Sequence, residues 1–327
     1  MLKKIGKSAL FFILMLVISA LIIVIAVSRP TLVNSVEDQT ELFVDKDILQ
    51  KHVIYLSETA YPRNYINTDN LNIVADYIKN ELSPYSEDIS FQPYKVGERT
   101  YKNVIVKFGP DTDEIIIIGA HYDTHSDLPG ADDNASGVAG LIELGRLLST
   151  IELKRQVLLI GYTLEEPPFF NTEHMGSYVH AASIKNKTVK LMVSLEMIGY
   201  FSDEPNSQKF PIDLMGLIYP TVGNYIAVVD TLLANNAAGL KSSINKYTDL
   251  PAYSINAPST IVGVDFSDHK NYWAFGYPAV MLTNTSFYRN TKYHTTQDTH
   301  DRLNYDLMAK VVYGLFKYVE KIGRESL

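Results

Sequence analysis

Cysteine is absent from all 327 residues of this chain. That absence excludes a disulfide-stapled scaffold, thiol catalysis and a cysteine-ligated zinc site. A basic stripe is lacking as well. The formal net charge is −8 and the pI about 5.5, so no nucleic-acid partner is expected, because gripping phosphates takes a concentrated Lys/Arg surface. There is no internal repeat, and no low-complexity tract outside one N-terminal apolar run. Any metal or catalytic chemistry must therefore rest on His, Asp and Glu.

What is present suits a globular protein with a large core: 46% of residues are hydrophobic and 20% charged. Between Lys7 and Arg29 lie 21 uncharged, mostly aliphatic residues. At about 1.5 Å per helical residue they match the roughly 30 Å hydrocarbon layer of a bilayer. A cleaved signal peptide is the alternative, but its apolar core is normally about 7–15 residues and ends at small residues. Lys3, Lys4 and Lys7 precede the run, and Glu37, Asp38, Glu41 and Asp45 follow it. By the positive-inside rule the N-terminus is then cytoplasmic and the rest extracytoplasmic, as in a single-pass membrane protein. The expected organisation is a cytoplasmic end (1–7), a transmembrane signal anchor (8–28), a tether (29–45) and one folded domain (46–327).

Helical spacing appears at Leu71, Val74, Ala75, Ile78 and Leu82, with Thr68 or Asp69 as cap. Strand-like runs follow around Asp88–Val96 and Tyr101–Lys107, and then Ile115–Ile118. The order becomes helix (Ala135–Leu148), strand (Gln156–Tyr162), helix (about Glu173–Ile184) and strand (Val189–Leu195), and a helix through Met308, Val312, Leu315 and Ile322 closes the chain. Such alternation predicts an α/β fold, a mostly parallel sheet covered on both faces. Residues 200–265 mix strand, helix and turn signals and read as an insertion or loop-rich segment of the same domain.

Ligands in sheets of this kind gather beyond the carboxyl ends of the strands. There the sequence places His121 and Asp123, then Glu165-Glu166, then Glu196, and finally His294 after the apolar run Ala279–Leu282. Gly130 precedes an Asp132-Asp133 pair at the start of the helix after the first of these strands. Singly, each has a plain structural explanation. Together, a His or carboxylate at each of four strand ends, with adjacent buried glutamates costly unless paired or metal-bound, points to a metal site.

These segments resemble the zinc aminopeptidase family that also includes glutamate carboxypeptidases and glutaminyl cyclases. The likeness runs from about Asp69 to Asp306. It is carried by His121-Tyr122-Asp123, Asp133-Asn134-Ala135-Ser136-Gly137, Glu165-Glu166, Glu196 and His294, with Ser267-Asp268-His269 and His294-Thr295-Thr296-Gln297-Asp298-Thr299 resembling the bacterial aminopeptidase branch. The resemblance implies a three-layer α/β/α sandwich of the phosphorylase/hydrolase-like type around two zinc ions. Asp133 would bridge the ions, His121 and Glu196 would complete one site, and Glu166 and His294 the other. Glu165 would act as the catalytic base and Asp123 would orient the His121 imidazole. Asp132 is expected to be a loop or capping residue. His125, His174, His269 and His300 are expected in hydrogen-bonding roles, and Arg289 and Tyr288 near a substrate carbonyl or carboxylate.

The implied function is a membrane-anchored aminopeptidase acting on peptides with a free N-terminus. Oxygen-rich donor sets also accept cobalt or manganese. Two alternatives stand beside it: a glutaminyl cyclase-like single-zinc acyltransferase, against which His121 argues, and a peptidase-fold ectodomain that has lost its metals.

Overall fold

The structure is a computed structural model that describes residues 2–31 and 43–325, with side chains from residue 10 onward. Of the expected tether, residues 32–42, including Glu37, Asp38 and Glu41, lie outside the described residues, as do the side chains of Lys3, Lys4 and Lys7.

Eight strands form one sheet: β1 (Ile89–Val96), β2 (Arg99–Phe108), β3 (Glu114–His121), β4 (Gln156–Tyr162), β5 (Thr188–Glu196), β6 (Ile226–Thr231), β7 (Ala252–Ala257) and β8 (Ala279–Thr283). Their spatial order is β1-β2-β4-β3-β5-β8-β6-β7. β4, β3, β5 and β8 pair in parallel, as do β6 and β7, whereas β1–β2, β2–β4 and β6–β8 are antiparallel. The central strands are buried on both faces, which is why they read as unbroken apolar runs rather than alternating ones.

Alternation along β3 divides the core. Ile116 and Ile118 pack with α2 (Lys46–Ile54), α3 (Thr68–Leu82), α4 (Gly137–Leu148) and the closing helix α8 (Tyr305–Arg324), while Ile115 and Ile117 face the layer of α5 (Gly176–Ser183) and α7 (His269–Ala274). This is the expected α/β/α sandwich with a mixed, mostly parallel sheet. The periodic residues of α3 are all buried. Its first turn is preceded by Asn67, which makes no side-chain cap, so neither Thr68 nor Asp69 serves as the expected cap.

The segment 200–265 is more than an insertion. Residues 226–257 supply β6, α6 (Ala237–Tyr247) and β7, which finish the sheet; its flanks are loop. Short strands with turn residues close by gave the sequence no sustained period there.

Helix α1 (Leu2–Ser28) contains one stretch, Leu10–Ser28, long and apolar enough to cross a membrane. Its last turn packs through Val27 on the cluster of Tyr219, Tyr225, Ile255 and Met281.

Candidate metal centre

The parallel pairing brings four strand ends to one edge. His121 is the last residue of β3 and Glu196 the last of β5; Glu165 and Glu166 follow β4 by three and four residues. His294 arrives on the long loop after β8. The backbone is turned sharply at these points: Leu164, Met197 and His294 have φ of 62°, 51° and 53°. Non-glycine residues rarely hold that left-handed conformation, and its cost is of the kind concentrated at functional sites.

Two triads result. One donor atom each from His121, Asp133 and Glu196 lie within 4.8 Å of one another, as do donors from Asp133, Glu166 and His294. Asp133 belongs to both. Its Oδ1 is 3.4 Å from His121 Nε2 and its Oδ2 3.1 Å from His294 Nε2. His121 Nε2 lies 3.4 Å from Glu196 Oε2, and His294 Nε2 lies 3.2 Å from Glu166 Oε1. Glu165 approaches without joining a triad, its Oε2 3.9 Å from His121 Nε2. All seven predicted site residues thus converge.

Their donor chemistry fits a divalent cation. His121 Nε2 and Glu196 Oε2 are buried, point at the shared gap and have no hydrogen-bond partner among the described residues. Buried polar atoms are rarely left so. Three donors in a triad would leave positions on an ion for water and substrate, as catalytic zinc requires.

The charges tell the same story. Burial, together with Asp133, pushes the Glu166 carboxyl up to about 7, although His294 pulls it back. Burial raises Glu165 well above the carboxylate range, His121 opposing and Glu196, Glu166 and Asp268 reinforcing. For His294 burial works downward, but hydrogen bonds to Asp133 and Glu166 prevail and raise the imidazole to about 10. His121 is raised well above its ordinary value because Glu196 and Glu165 outweigh its burial. The surplus negative charge that holds protons on both imidazoles is what a divalent cation would meet.

The Asp123 carboxylate grips the Glu-Glu pair. Its Oδ1 accepts from the backbone N–H of Glu165 and its Oδ2 from that of Glu166, both at 3.1 Å. His121 Nδ1 instead lies 3.2 Å from the Asp123 backbone carbonyl oxygen, with the carboxylate at 3.7 Å. One buried carboxylate therefore fixes the Glu-Glu pair directly and faces the imidazole at longer range.

Other residues hold the site from behind. Asp132 lies in the irregular helical turn Ala131–Ser136 that leads into α4, rather than in a loop, and its carboxylate accepts from Gly199 N, Tyr200 N, Asn284 Nδ2 and Asn290 Nδ2. Asp298 accepts from the backbone N–H of Asp132 and Asp133, whose carbonyl joins Asn134 through a cis peptide. Arg63, fully buried, donates to the carbonyls of Leu56, Tyr122, Pro129 and Gly130 and so clamps the loop between β3 and α4. The sequence offered no signal for Arg63, and it marked Asp298 only as part of the late motif resembling the bacterial aminopeptidases, without its grip on backbone groups far away along the chain. Asp268 is buried beside the centre, neither oxygen has a hydrogen-bond partner among the described residues, and burial pushes its carboxyl up to about 7.

The remaining histidines stay out of the triads. His125 stacks on His294 at 4.2 Å, His269 Nε2 meets the Val264 carbonyl at 2.9 Å, His300 pairs with Glu58 at 3.2 Å, and His174 packs edge-on against Phe169. Arg289 is no substrate contact: it is buried and donates to Gln208 Oε1 and the Tyr225 carbonyl. Tyr288 donates to the Val262 carbonyl and lines an apolar groove beside the centre.

Residues 103–319 match peptidase family M28. The chain is 48% identical over 276 residues to the uncharacterized protein YfbL of Escherichia coli, covering 82% of this chain and 85% of that one. Its fold is similar to the crystal structure of the LapA aminopeptidase of Legionella pneumophila, with a TM-score of 0.70, 22% identity, and coverage of 91% of this chain and 78% of that one. It is also similar to BSAP, a zinc aminopeptidase from Bacillus subtilis, with a TM-score of 0.69, 12% identity, and coverage of 88% and 97%. The family match, on a fold of this kind, makes the chain a hydrolase of the metallo-exopeptidase type: it belongs to peptidase family M28.

Proposed function

We propose that the chain is a membrane-anchored, two-metal aminopeptidase, with residues 46–327 as its catalytic domain outside the membrane, 8–28 as the span and 29–45 as the tether. The observation that carries the two-metal reading is a pair of ligand triads sharing Asp133, with Glu165 beside them and committed to neither. His121 and Glu196 would hold one zinc ion, Glu166 and His294 the other, and Asp133 both. When bound, such ions would polarise the scissile carbonyl and ease ionisation of the attacking water.

Glu165 is placed to take a proton from that water and to return it to the departing amine. Its burial among carboxylates raises its proton affinity, a perturbation of the kind that marks functional carboxyls. An amine end rather than a carboxylate end of the substrate suits this pocket. Asp123, Glu165 and Asp268 are carboxyls that belong to neither triad and stand beside the ligand carboxylates. The two buried arginines nearby, Arg63 and Arg289, already donate to backbone carbonyls. A carboxylate beside the triads that holds no ion would pair with an ammonium group and repel a carboxylate.

The full chain in detergent, offered a panel of aminoacyl substrates with free and N-acetylated ends, is expected to cleave only the free ones. A chelator should abolish turnover, and zinc, cobalt or manganese should restore it. Equal cleavage of acetylated substrates would refute the aminopeptidase assignment.

Asp123→Asn offers a second check. The amide has one acceptor oxygen, so one of the two N–H groups of the Glu165-Glu166 pair would face an N–H instead of a carboxylate. Outer-shell losses of this kind cost about 10–100-fold in metal affinity or activity. Zinc competition titrations and kcat/KM should both fall by that order; unchanged values would remove Asp123 from the working site.

A further inference from the structure

Helix α1 ends inside the folded domain rather than beside it. An α-helix leaves its last carbonyls without intrahelical partners, and here the domain supplies them. Ser28 O accepts from Lys241 Nζ at 2.9 Å and from Ser254 Oγ at 2.7 Å, and Val27 O from Tyr219 Oη at 3.4 Å; Lys241 also donates to Arg29 O. Arg29 in turn donates to Leu232 O at 3.1 Å. Lys241 is buried, and burial lowers its ammonium to about 8. A cation at a helix C-terminus meets the negative end of the helix dipole, which favours this placement. The exit end of α1 is therefore fixed to α6 and β7.

An apolar groove of about 280 Å³ opens beside this junction, close to the lower bound of roughly 300 Å³ for small-ligand sites. Ile23 and Val27 of α1 form part of its wall, with Phe210, Met215, Ile255 and Met281 from the domain. Ile23 is 60% exposed at the mouth; Glu196, only 5% exposed, also lines the groove and belongs to the first triad. The groove thus connects the side of the helix with the metal centre.

Around the mouth the domain bares apolar residues. Leu214 and Leu217 are 68% and 83% exposed, and they share a second depression with Ala20 and Val24 of α1. Ala20 lies about 12 Å down the helix axis from Ser28 at 1.5 Å per residue. Val24, which lines the same depression, lies at about 6 Å, so the depression overlaps the roughly 5–10 Å depth to which interfacial apolar faces sink. Contiguous apolar surface of this sort marks a membrane or partner site, and its continuity with an apolar helix of spanning length selects the membrane.

We propose that the groove is the entry path for substrate from the membrane surface: α1 and the loop bearing Leu214 and Leu217 seat the domain in the bilayer interface, and the groove admits apolar N-terminal side chains of peptides lying there and guides the N-terminus to Glu196. This rests on α1 being a membrane span and on the aminopeptidase reading. It adds that the anchor is a wall of the specificity pocket, so that removing it changes which peptides are processed.

The cysteine-free sequence permits a direct test with the full chain in lipid nanodiscs. In a Glu165→Gln background, which slows turnover, Val27→Cys is labelled with a membrane-permeant maleimide. Leucyl-leucine amide is expected to slow that labelling several-fold, and glycyl-glycine amide to leave it unchanged. Ile22→Cys, next to Ile23 on the same helix but not lining the groove, should respond to neither peptide. With Glu165 intact, Val27→Trp should raise KM for a leucyl substrate by about tenfold, the scale of a filled apolar pocket. Its kcat should hold, as should both constants for an alanyl substrate.

Equal protection by both peptides, protection of neither, or parallel loss of leucyl and alanyl turnover would overturn the proposal. So would ready labelling of Ile22→Cys by a charged, membrane-impermeant maleimide, which would take α1 out of the bilayer. Leucine-selective protection in a chain that cleaves no aminoacyl substrate would support the groove while the hydrolytic reading fails.

Discussion

Glu165→Gln is expected to lower kcat by roughly a hundred- to ten-thousand-fold, the range for losing a positioned general base, while metal content stays at the wild-type value. The argument rests on where Glu165 sits. Its backbone N–H is held by Asp123 Oδ1, so the main chain is fixed whichever side chain follows. Its carboxylate reaches to 3.9 Å from His121 Nε2 yet belongs to neither triad. Glutamine keeps the size and loses the ability to accept and return a proton. Because buried Glu165 stands among Glu166, Glu196 and Asp268, removing its charge also relieves like-charge repulsion, and the variant should be no less stable than the parent. Kinetics together with metal analysis by mass spectrometry decide the matter. Loss of an ion along with activity would make Glu165 a ligand and leave the base unassigned.

The separation between Glu165 and its neighbours shows what the sequence could and could not reveal. Strand ends were legible because β3, β4 and β5 are doubly buried apolar runs, so a His or Glu directly after one stands out in the chain. Which of Glu165 and Glu166 faces which histidine was not legible from spacing. It depends on the positive φ at Leu164 and on Asp123 gripping both N–H groups. The family resemblance, not periodicity, supplied that assignment.

The same limit hid what the supporting residues hold. Asp298 holds Asp133 through a backbone bond across 165 positions of sequence, and Arg63 reaches the β3–α4 loop from a turn before α3. Long-range side-chain-to-backbone bonds leave no pattern in composition or period. Strands β6 and β7 escaped for another reason. They are six residues each, too short for a sustained repeat, and they lie at the sheet edge beyond β8.

Stripping the metal should produce the second large effect, and its pH dependence follows from the buried carboxyls. Burial pushes Glu166, Asp268 and Asp298 each up to about 7, whereas in the unfolded chain such groups lose their protons near pH 4. Between about pH 4.5 and 7 the folded, chelated protein therefore binds more protons than the unfolded chain, and its stability falls as pH rises. His294, raised to about 10, acts in the same direction: its contribution is intact below about 6.5 and is lost on the way up to its folded value. Asp133 is depressed below the carboxylate range because the facing His121 and His294 imidazoles outweigh its burial. Its contribution is lost only as pH falls below about 4, so it is constant over this window.

Zinc reverses the trend, because ligands must shed protons to bind it and affinity rises with pH. At about a thousand times its dissociation constant a ligand adds roughly 4 kcal/mol, or on the order of 8–16 °C in Tm for a domain of this size. Calorimetry of the full chain should find the gap in Tm between zinc-loaded and chelated protein widening from pH 5 to 7.5. Two variants then separate the ions. Asp133→Ala removes the one donor common to both triads and should collapse the gap. Glu196→Ala removes a donor from one triad only and should retain one tightly held ion and about half of the shift. If Asp133→Ala keeps two ions per chain, the carboxylate is not shared, and the two triads belong to independent sites rather than to one centre.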